Sequence, residues 1–211
     1  MQGDSMSIKV VWLGHAGVMI RCNAGVLYID PWKVSRSSPQ ADIILVTHDH
    51  YDHYSPEDLT LLKDDSTRVV APMPAPEVTD VIGPGDRLSL GEFTVEAIPA
   101  YNITKGFHPR ANNWLGYVVQ TGGKRIYHAG DTDRIPEMNG LNADLAFIPV
   151  GGTYTMDARD AALAVEDIKA GMTIPIHFGD IVGTREDAER FARSCSRPIR
   201  VLDPGELYTL S

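Results

Sequence analysis

Cysteine is scarce in this sequence, which has only Cys22 and Cys195 among its 211 residues. They stand far apart and form no Cys-x-x-Cys spacing, so neither a disulfide framework nor a thiolate zinc site is indicated. Basic residues are also few, with 19 Lys and Arg against 28 Asp and Glu and a formal net charge of -9. A broad nucleic-acid-binding face is therefore not expected, because such faces cluster Lys and Arg against phosphates.

Long apolar runs are absent as well. No segment approaches the roughly 20 residues that a helix needs to cross a bilayer, and the N-terminus has no basic segment followed by a hydrophobic stretch. We therefore expect a cytoplasmic protein without a membrane segment, whose partner is a small-molecule substrate. The sequence leaves open whether the chain forms a homo-oligomer.

The composition that remains is that of an ordinary globular protein, with 43% hydrophobic and 22% charged residues. A chain of this length is expected to fold as one domain, which we place at residues 7–211. Residues 1–6 are mostly polar and contain a second methionine, Met6. We expect them to be a disordered end or a cloning remnant.

Hairpin-linked strands alternate with strand–helix units along the chain. Apolar and β-branched runs predict strands at 8–13, 18–22, 25–29, 43–46, 68–71, 87–90, 93–99, 116–120, 124–127, 143–150, 172–178 and 199–202. Capping residues predict three helices, from Ser55 to about Lys63, from Asp157 to about Ala170 and from Thr184 to about Ser194. This mixture predicts a layered α/β fold with helices on the outer faces of packed sheets.

The segment 48–53 combines three histidines with two aspartates directly after a predicted buried strand. His48 and His50 are two residues apart, so in an extended segment their imidazoles lie on the same side and can share an ion. Asp52 and His53 would then face a second ion. Imidazole and carboxylate together suit zinc, iron, manganese or nickel rather than calcium. The alternative is a surface loop that happens to be rich in histidine.

Two later strand ends carry further candidates. Gly130 permits a sharp turn that leaves Asp131 free to point inwards, and His177 follows an apolar strand. Each signal is weak alone, because a Gly-Asp pair is usually a turn and a single His is usually a satisfied core residue. His128 alternates away from Asp131 on the same strand, so we do not expect it to be a ligand.

Three motifs, in this order, resemble the metallo-β-lactamase superfamily: His48-x-His50-x-Asp52-His53, Gly130-Asp131-Thr132 and Pro175-Ile176-His177. Residues 12–16, 127–131 and 151–156 resemble a subgroup of small hydrolases similar to L-ascorbate-6-phosphate lactonase and, more distantly, to N-acyl-phosphatidylethanolamine phospholipase D. The resemblance implies a single domain built as a four-layer αββα sandwich, in which two mixed sheets are flanked by helices. It also implies one ion held by His48 and His50, a second held by Asp52, His53 and His177, and Asp131 bridging both.

One ligand departs from the family pattern, because no histidine follows the strand that ends near Asn102. His108 is the nearest substitute; Asn102 could instead ligate through its oxygen, or one ion could be weakly held. Substrate contacts or supporting roles are expected for His15, Asn102 and Tyr154. Lys105 and Arg110 would suit a phosphate or carboxylate, although loop cations are usually solvated.

The predicted function is hydrolysis of a phosphodiester, lactone or other ester by a metal-activated hydroxide. Asp52 is the expected catalytic residue, orienting the water and carrying its proton. The cofactor is one or two divalent ions per chain, zinc first, with manganese, iron or nickel as alternatives. A di-iron redox enzyme and a non-catalytic binding protein that retains the fold are the alternative functions.

Overall fold

Two β-sheets face each other in the computed structural model, which describes residues 7–211. The predicted disordered end or cloning remnant at 1–6 lies outside the described residues. In spatial order, the strands of the first sheet are β13 (Leu207–Leu210), β1 (Ile8–Gly14), β2 (Gly17–Cys22), β3 (Gly25–Ile29), β4 (Ile43–Leu45), β5 (Arg68–Ala71) and β6 (Asp80–Val81). Those of the second are β12 (Met172–Ile176), β11 (Leu145–Pro149), β10 (Lys124–His128), β9 (Leu115–Thr121), β8 (Phe93–Pro99) and β7 (Arg87–Leu90).

Both sheets are mixed. The first is antiparallel from β13 to β3 and parallel from β3 to β6. The second is antiparallel from β7 to β10 and parallel from β10 to β12. Because the carboxyl ends of parallel strands share one edge of a sheet, the segments that follow β10, β11 and β12 emerge together.

Within residues 7–211, three α-helices cover the outer faces: α1 (Pro56–Leu62), α2 (Ala158–Ile168) and α3 (Arg185–Ser194). Their predicted caps are confirmed, since Ser55 and Asp157 accept backbone hydrogen bonds and Thr184 forms a capping box with Asp187. No helix within the described range is long and apolar enough to cross a membrane.

Strand β4 illustrates how the layers form. Its side chains alternate, so Ile43 and Leu45 enter the large core between the sheets, while Ile44 packs outwards with Leu59 and Leu62 of α1. Helices α2 and α3 pack on the outer side of β11 and β12. The predicted four-layer α/β sandwich is therefore confirmed.

The predicted last strand at 199–202 is wrong. Ile199 forms only an isolated bridge with Thr173, and the last strand is instead β13, which pairs with β1. Pro198 and Pro204 flank the predicted segment, and proline cannot donate to a ladder. Strand β6, two residues long, was not predicted either.

Candidate metal centre

Eight histidine and aspartate side chains converge beside the strand ends of β4, β10 and β12. They come from the turn after β1, the turn between β4 and α1, the loop between β8 and β9, and the segments after β10 and β12. The group comprises His15, His48, His50, Asp52, His53, His108, Asp131 and His177. The structure thus brings together every histidine and aspartate for which the sequence predicts a metal-binding or supporting role.

A buried aspartate at the end of β3 orients one of the histidines. The carboxylate of Asp30 accepts hydrogen bonds from the backbone N–H of Thr47 at 2.8 Å and from its hydroxyl at 2.6 Å. The same carboxylate lies 2.7 Å from Nδ1 of His53. Because Nδ1 is held in this way, Nε2 of His53 faces the other ligands. This role of Asp30 was not predicted from the sequence, because only the pairing of β3 with β4 reveals it.

His48 and His50 face each other across a short gap. Nε2 of His48 lies 3.1 Å from Nδ1 of His50, and Nδ1 of His48 lies 2.9 Å from the Thr47 hydroxyl. The third nitrogen near this pair belongs to His108, and the three ligand atoms lie within 4.8 Å of one another. This arrangement matches the three-imidazole face that an ion can occupy.

Asp131 lies between the groups of histidines. Its Oδ2 is 3.0 Å from Nε2 of His177 and 3.3 Å from Nε2 of His108, and its Oδ1 is 3.5 Å from Nε2 of His53. Gly130 makes this position accessible, because its φ is +65° and a Cβ there would lie 2.5 Å from the carbonyl oxygen of Leu115. Asp131 is therefore positioned to share its two oxygens between two ions.

His108 and Asn102, which the sequence left open as a third ligand of the first ion, lie in contact with each other. Oδ1 of Asn102 accepts a hydrogen bond from the backbone N–H of His108 at 3.0 Å and lies 3.1 Å from Nδ1 of His108. Nδ2 of Asn102 donates to the carbonyl oxygen of Tyr154 at 2.9 Å. Asn102 is thus occupied in holding His108, whose Nε2 is directed towards Asp131.

Two of the histidines adopt strained backbone conformations. His15 has φ +47° and His177 has φ +60°, a region that costs a non-glycine residue about 1–2 kcal/mol. The backbone N–H of His177 donates to the carbonyl oxygen of His15 at 2.8 Å, which holds the two turns together. Nε2 of His15 lies 2.8 Å from Oδ2 of Asp52. Such strain is typical of functional sites, where the surrounding structure holds it in place.

The electrostatics of the site favour a cation. Burial alone would lower the pKa of His53, but Asp131 and Asp30 outweigh it and raise that pKa to about 9. Burial opposes ionisation of Asp131, yet the neighbouring His177 and His53 hold its pKa well below the ordinary value. His48 behaves oppositely to His53, since burial dominates and its pKa is lowered well below 6.5.

Several buried polar atoms at the centre have no hydrogen-bond partner among residues 7–211. They include Nε2 of His53, His108 and His177 and Oδ1 of Asp131. Buried polar atoms are ordinarily satisfied, so unsatisfied donor atoms that converge on one point fit a bound cation. Imidazole and carboxylate donors at these separations fit divalent transition metals.

Comparisons with known proteins agree with this geometry. A sequence model described as the β-lactamase superfamily domain matches residues 9–177. A UPF0173 metal-dependent hydrolase from Symbiobacterium thermophilum is 34% identical, with 96% of this chain and all of that protein covered. This chain belongs to the metallo-β-lactamase superfamily. Within the superfamily it is a metal-dependent hydrolase.

Two further relatives match most of the length of this chain. A UPF0173 metal-dependent hydrolase from Thermoplasma acidophilum is 34% identical over 88% of this chain and 89% of its own. A solved structure from Parabacteroides distasonis, also described as a metal-dependent hydrolase, has 30% identity, a TM-score of 0.81 and 92% coverage of both chains. The resemblance to the lactonase-like subgroup stays a prediction.

His128 has a structural role in this member of the superfamily. Its Nε2 lies 2.8 Å from the carbonyl oxygen of Ala16, and its Nδ1 accepts a hydrogen bond from the backbone N–H of Gly130 at 3.1 Å. Both ring nitrogens are therefore occupied away from the ligand cluster. The sequence prediction that His128 points away from Asp131 agrees with this position.

A cavity of about 400 Å³ opens onto the ligands, a size within the usual range for small-molecule sites. Tyr154 lines this cavity, as the sequence predicts for a substrate contact. Lys105 and Arg110 do not line it. The cavity wall consists of Asp49, His50, Tyr51, Asp52, Phe107, His108, Asp131, Tyr154, His177 and Ile181.

Proposed function

We propose that this hydrolase cleaves an ester, lactone or phosphodiester bond of a small molecule at a centre for two divalent ions. The observation that carries the proposal is the convergence of the Nε2 atoms of His53, His108 and His177 on one carboxylate, Asp131. A single ion would use only part of this donor set. Two ions that share the carboxylate use all of it.

The proposed ligands divide into two sets around that shared carboxylate. His48, His50 and His108 would hold one ion, and Asp52, His53 and His177, which lie together with His15, would hold the other. The mixture of imidazole and carboxylate donors supports zinc first, with manganese, iron or nickel as alternatives. When bound, such ions lower the pKa of water towards neutrality and stabilise the oxyanion that forms during hydrolysis.

The chain's own residues then have distinct roles. Asp52 is the proposed catalytic residue, because its carboxylate lines the cavity and can orient the attacking water and accept its proton. His15 is a positioning residue, since Nε2 of its ring lies 2.8 Å from Oδ2 of Asp52. The contact with His15 holds the pKa of Asp52 below its ordinary value although burial opposes this, which keeps the carboxylate ionised.

The redox alternative would use the same metal ligands. A redox enzyme therefore differs from a hydrolase in the reaction that it catalyses and not in the residues of its site. A di-iron enzyme would contain iron as purified and consume oxygen, whereas a hydrolase would release an acid and an alcohol. The non-catalytic alternative predicts neither reaction. A non-catalytic protein that retains the fold is expected to have lost metal ligands, but this chain keeps all of the proposed ones.

The direct experiment measures metal content and hydrolysis together. Protein purified without added metal is analysed for bound ions and tested on phosphodiester, lactone and carboxylic ester substrates, before and after chelation and metal return. We expect chelation to abolish hydrolysis and metal return to restore it. We expect His48→Ala to bind fewer ions than the parent protein and to lack hydrolysis. Asp65→Asn, an exposed acidic residue away from the site, is the control. Hydrolysis that survives chelation would contradict the proposal.

A further inference from the structure

The mouth of the metal-centre cavity is apolar. Tyr51, Phe107 and Ile181 are among the seven large hydrophobic side chains that are exposed within residues 7–211, and all three line this one cavity. Phe107 packs edge to face against Tyr154 with ring centroids 4.7 Å apart. Apolar side chains gathered around a catalytic cavity, rather than scattered over the surface, mark a binding surface.

The cations around the mouth are already paired. Nζ of Lys33 lies 2.7 Å from Asp180, and Nζ of Lys105 lies 2.5 Å from Asp133. Lys105 also donates to the carbonyl oxygen of Thr155 at 2.9 Å.

Arg110 is likewise engaged, 2.9 Å from Glu137 and stacked over the ring of Tyr101. In the part of the chain that the structure describes, no Lys or Arg lines the cavity, and Asp49 adds a negative charge to its wall. Sites for phosphate or carboxylate groups normally supply Arg or Lys to pair with them. Apart from its ions, the described cavity wall offers no cationic Lys or Arg to a second anionic group.

We propose that the substrate is a neutral carboxylic ester or lactone whose apolar acyl group lies against Tyr51, Phe107 and Ile181. The inference rests on the proposed hydrolytic function and narrows its substrate class. In the reaction, the oxygen of water bonds to the carbonyl carbon and the bond from that carbon to the ester oxygen breaks. The alkoxide leaves as an alcohol with one proton from the water, and the acid remains as a carboxylate with the release of the other proton.

Binding of alkyl hydroxamates tests the inference without requiring turnover. The hydroxamate group binds the ions, and the alkyl chain lies against the side chains at the cavity mouth. Calorimetry on the metal-loaded protein compares acetohydroxamate with hydroxamates of four, six and eight carbons. We expect each added methylene to tighten binding by up to about fourfold. A hydroxamate whose alkyl chain has the same length but ends in a carboxylate is expected to bind more weakly than the neutral hydroxamate.

Two variants and a matched control locate the effect. Phe107→Ala and Ile181→Ala are expected to reduce the gain in affinity between acetohydroxamate and the eight-carbon hydroxamate. Leu207→Ala removes an apolar side chain that is 50% exposed, against 49% for Phe107, but lies on β13 outside the cavity, so the gain should persist. Phe107→Lys is expected to favour the chain that ends in a carboxylate.

The outcomes separate the inference from the proposed function. If acetohydroxamate binds but longer chains bind no more tightly, or if the carboxylate-ended chain binds best to the parent protein, the inference is wrong and the metal centre stands. If no hydroxamate binds the metal-loaded protein, both the inference and the proposed centre are wrong. The inference would also be wrong if Leu207→Ala removed the increase in affinity with alkyl chain length as fully as Phe107→Ala does.

Discussion

The proposed ligands come from two regions that are built differently. The motif half consists of His48, His50, Asp52 and His53, which follow β4 within six residues. The loop half consists of His108, Asp131 and His177, which come from three separate segments. The motif half is held by buried hydrogen bonds to neighbouring strands, whereas the loop half depends on distant segments folding together.

The supporting contacts show the same contrast. In the motif half, Asp30 joins Thr47 and His53 through three contacts of 2.6–2.8 Å. In the loop half, His108 is held by Asn102, while His177 is held by a strained turn that is tied to His15. The ligands of the motif half are therefore positioned by contacts within a single sheet. Those of the loop half are positioned only by the complete tertiary structure.

The largest effect is expected from Asp131→Asn, because the Asp131 carboxylate lies within 3.5 Å of His53 in the motif half and of His108 and His177 in the loop half. The substitution keeps the shape but removes the shared charge. We expect kcat/KM to fall by more than about 100-fold, since even residues that only support metal ligands cost 10–100-fold. Kinetics with the best substrate found, beside Asp65→Asn as the control, measure this. An unchanged kcat/KM would mean that the two halves do not form one site.

Asp30→Asn should weaken the motif half alone. Asparagine tolerates the backbone at this position, where φ is +46°, but it loses the carboxylate that contacts His53. We expect metal affinity to fall by about 10- to 100-fold, measured by competition with a chelating dye. If affinity stayed at the parent value, the contact between Asp30 and His53 would not support the site.

Asn102→Ala should weaken the loop half alone. It removes the oxygen that holds His108 and the amide that ties the loop to Tyr154. We expect affinity for one ion to fall by about 10-fold while the other remains tightly bound. Two-step metal titration would resolve the ions, and Asn102→Asp, which keeps an oxygen for His108, should recover part of the loss. Equal weakening of both ions would mean that His108 does not belong to the ligand set of one ion alone.

The smallest expected effect is the pH dependence of the metal-free protein. The pKa of His53 is raised from 6.5 to about 9, so its contribution to stability is fully present below pH 6.5 and is lost as the pH rises through about 9. Because Asp30 contributes to the raised pKa, Asp30→Asn should show a shallower decline over this range. Urea midpoints measured with a chelator between pH 6.5 and 9.5 test this, and equal slopes would contradict it.

The sequence predicted most of the motif half and of the fold because the signals are local. The apolar run before His48 and the capping residues Ser55, Asp157 and Thr184 each lie beside the element that they define. Binary pattern and capping chemistry act within a few residues, so one sequence is enough to read them.

The features that the sequence did not predict depend on segments that meet only after folding. Asp30 supports His53 because β3 and β4 are neighbours, and β13 exists because β1 leaves an edge free beside it. The position of His108 was left open for the same reason, since Asn102 holds it across a loop. Tertiary contacts of this kind have no local signature.

The most direct test of the two-ion centre is the number of ions bound per chain, measured by elemental analysis of protein reconstituted with zinc. We expect two ions in the parent protein, one in His108→Ala, where the set of Asp52, His53 and His177 remains, and fewer than two in Asp131→Asn. Binding of no zinc by the parent protein, or a ratio that neither substitution changes, would contradict the central claim.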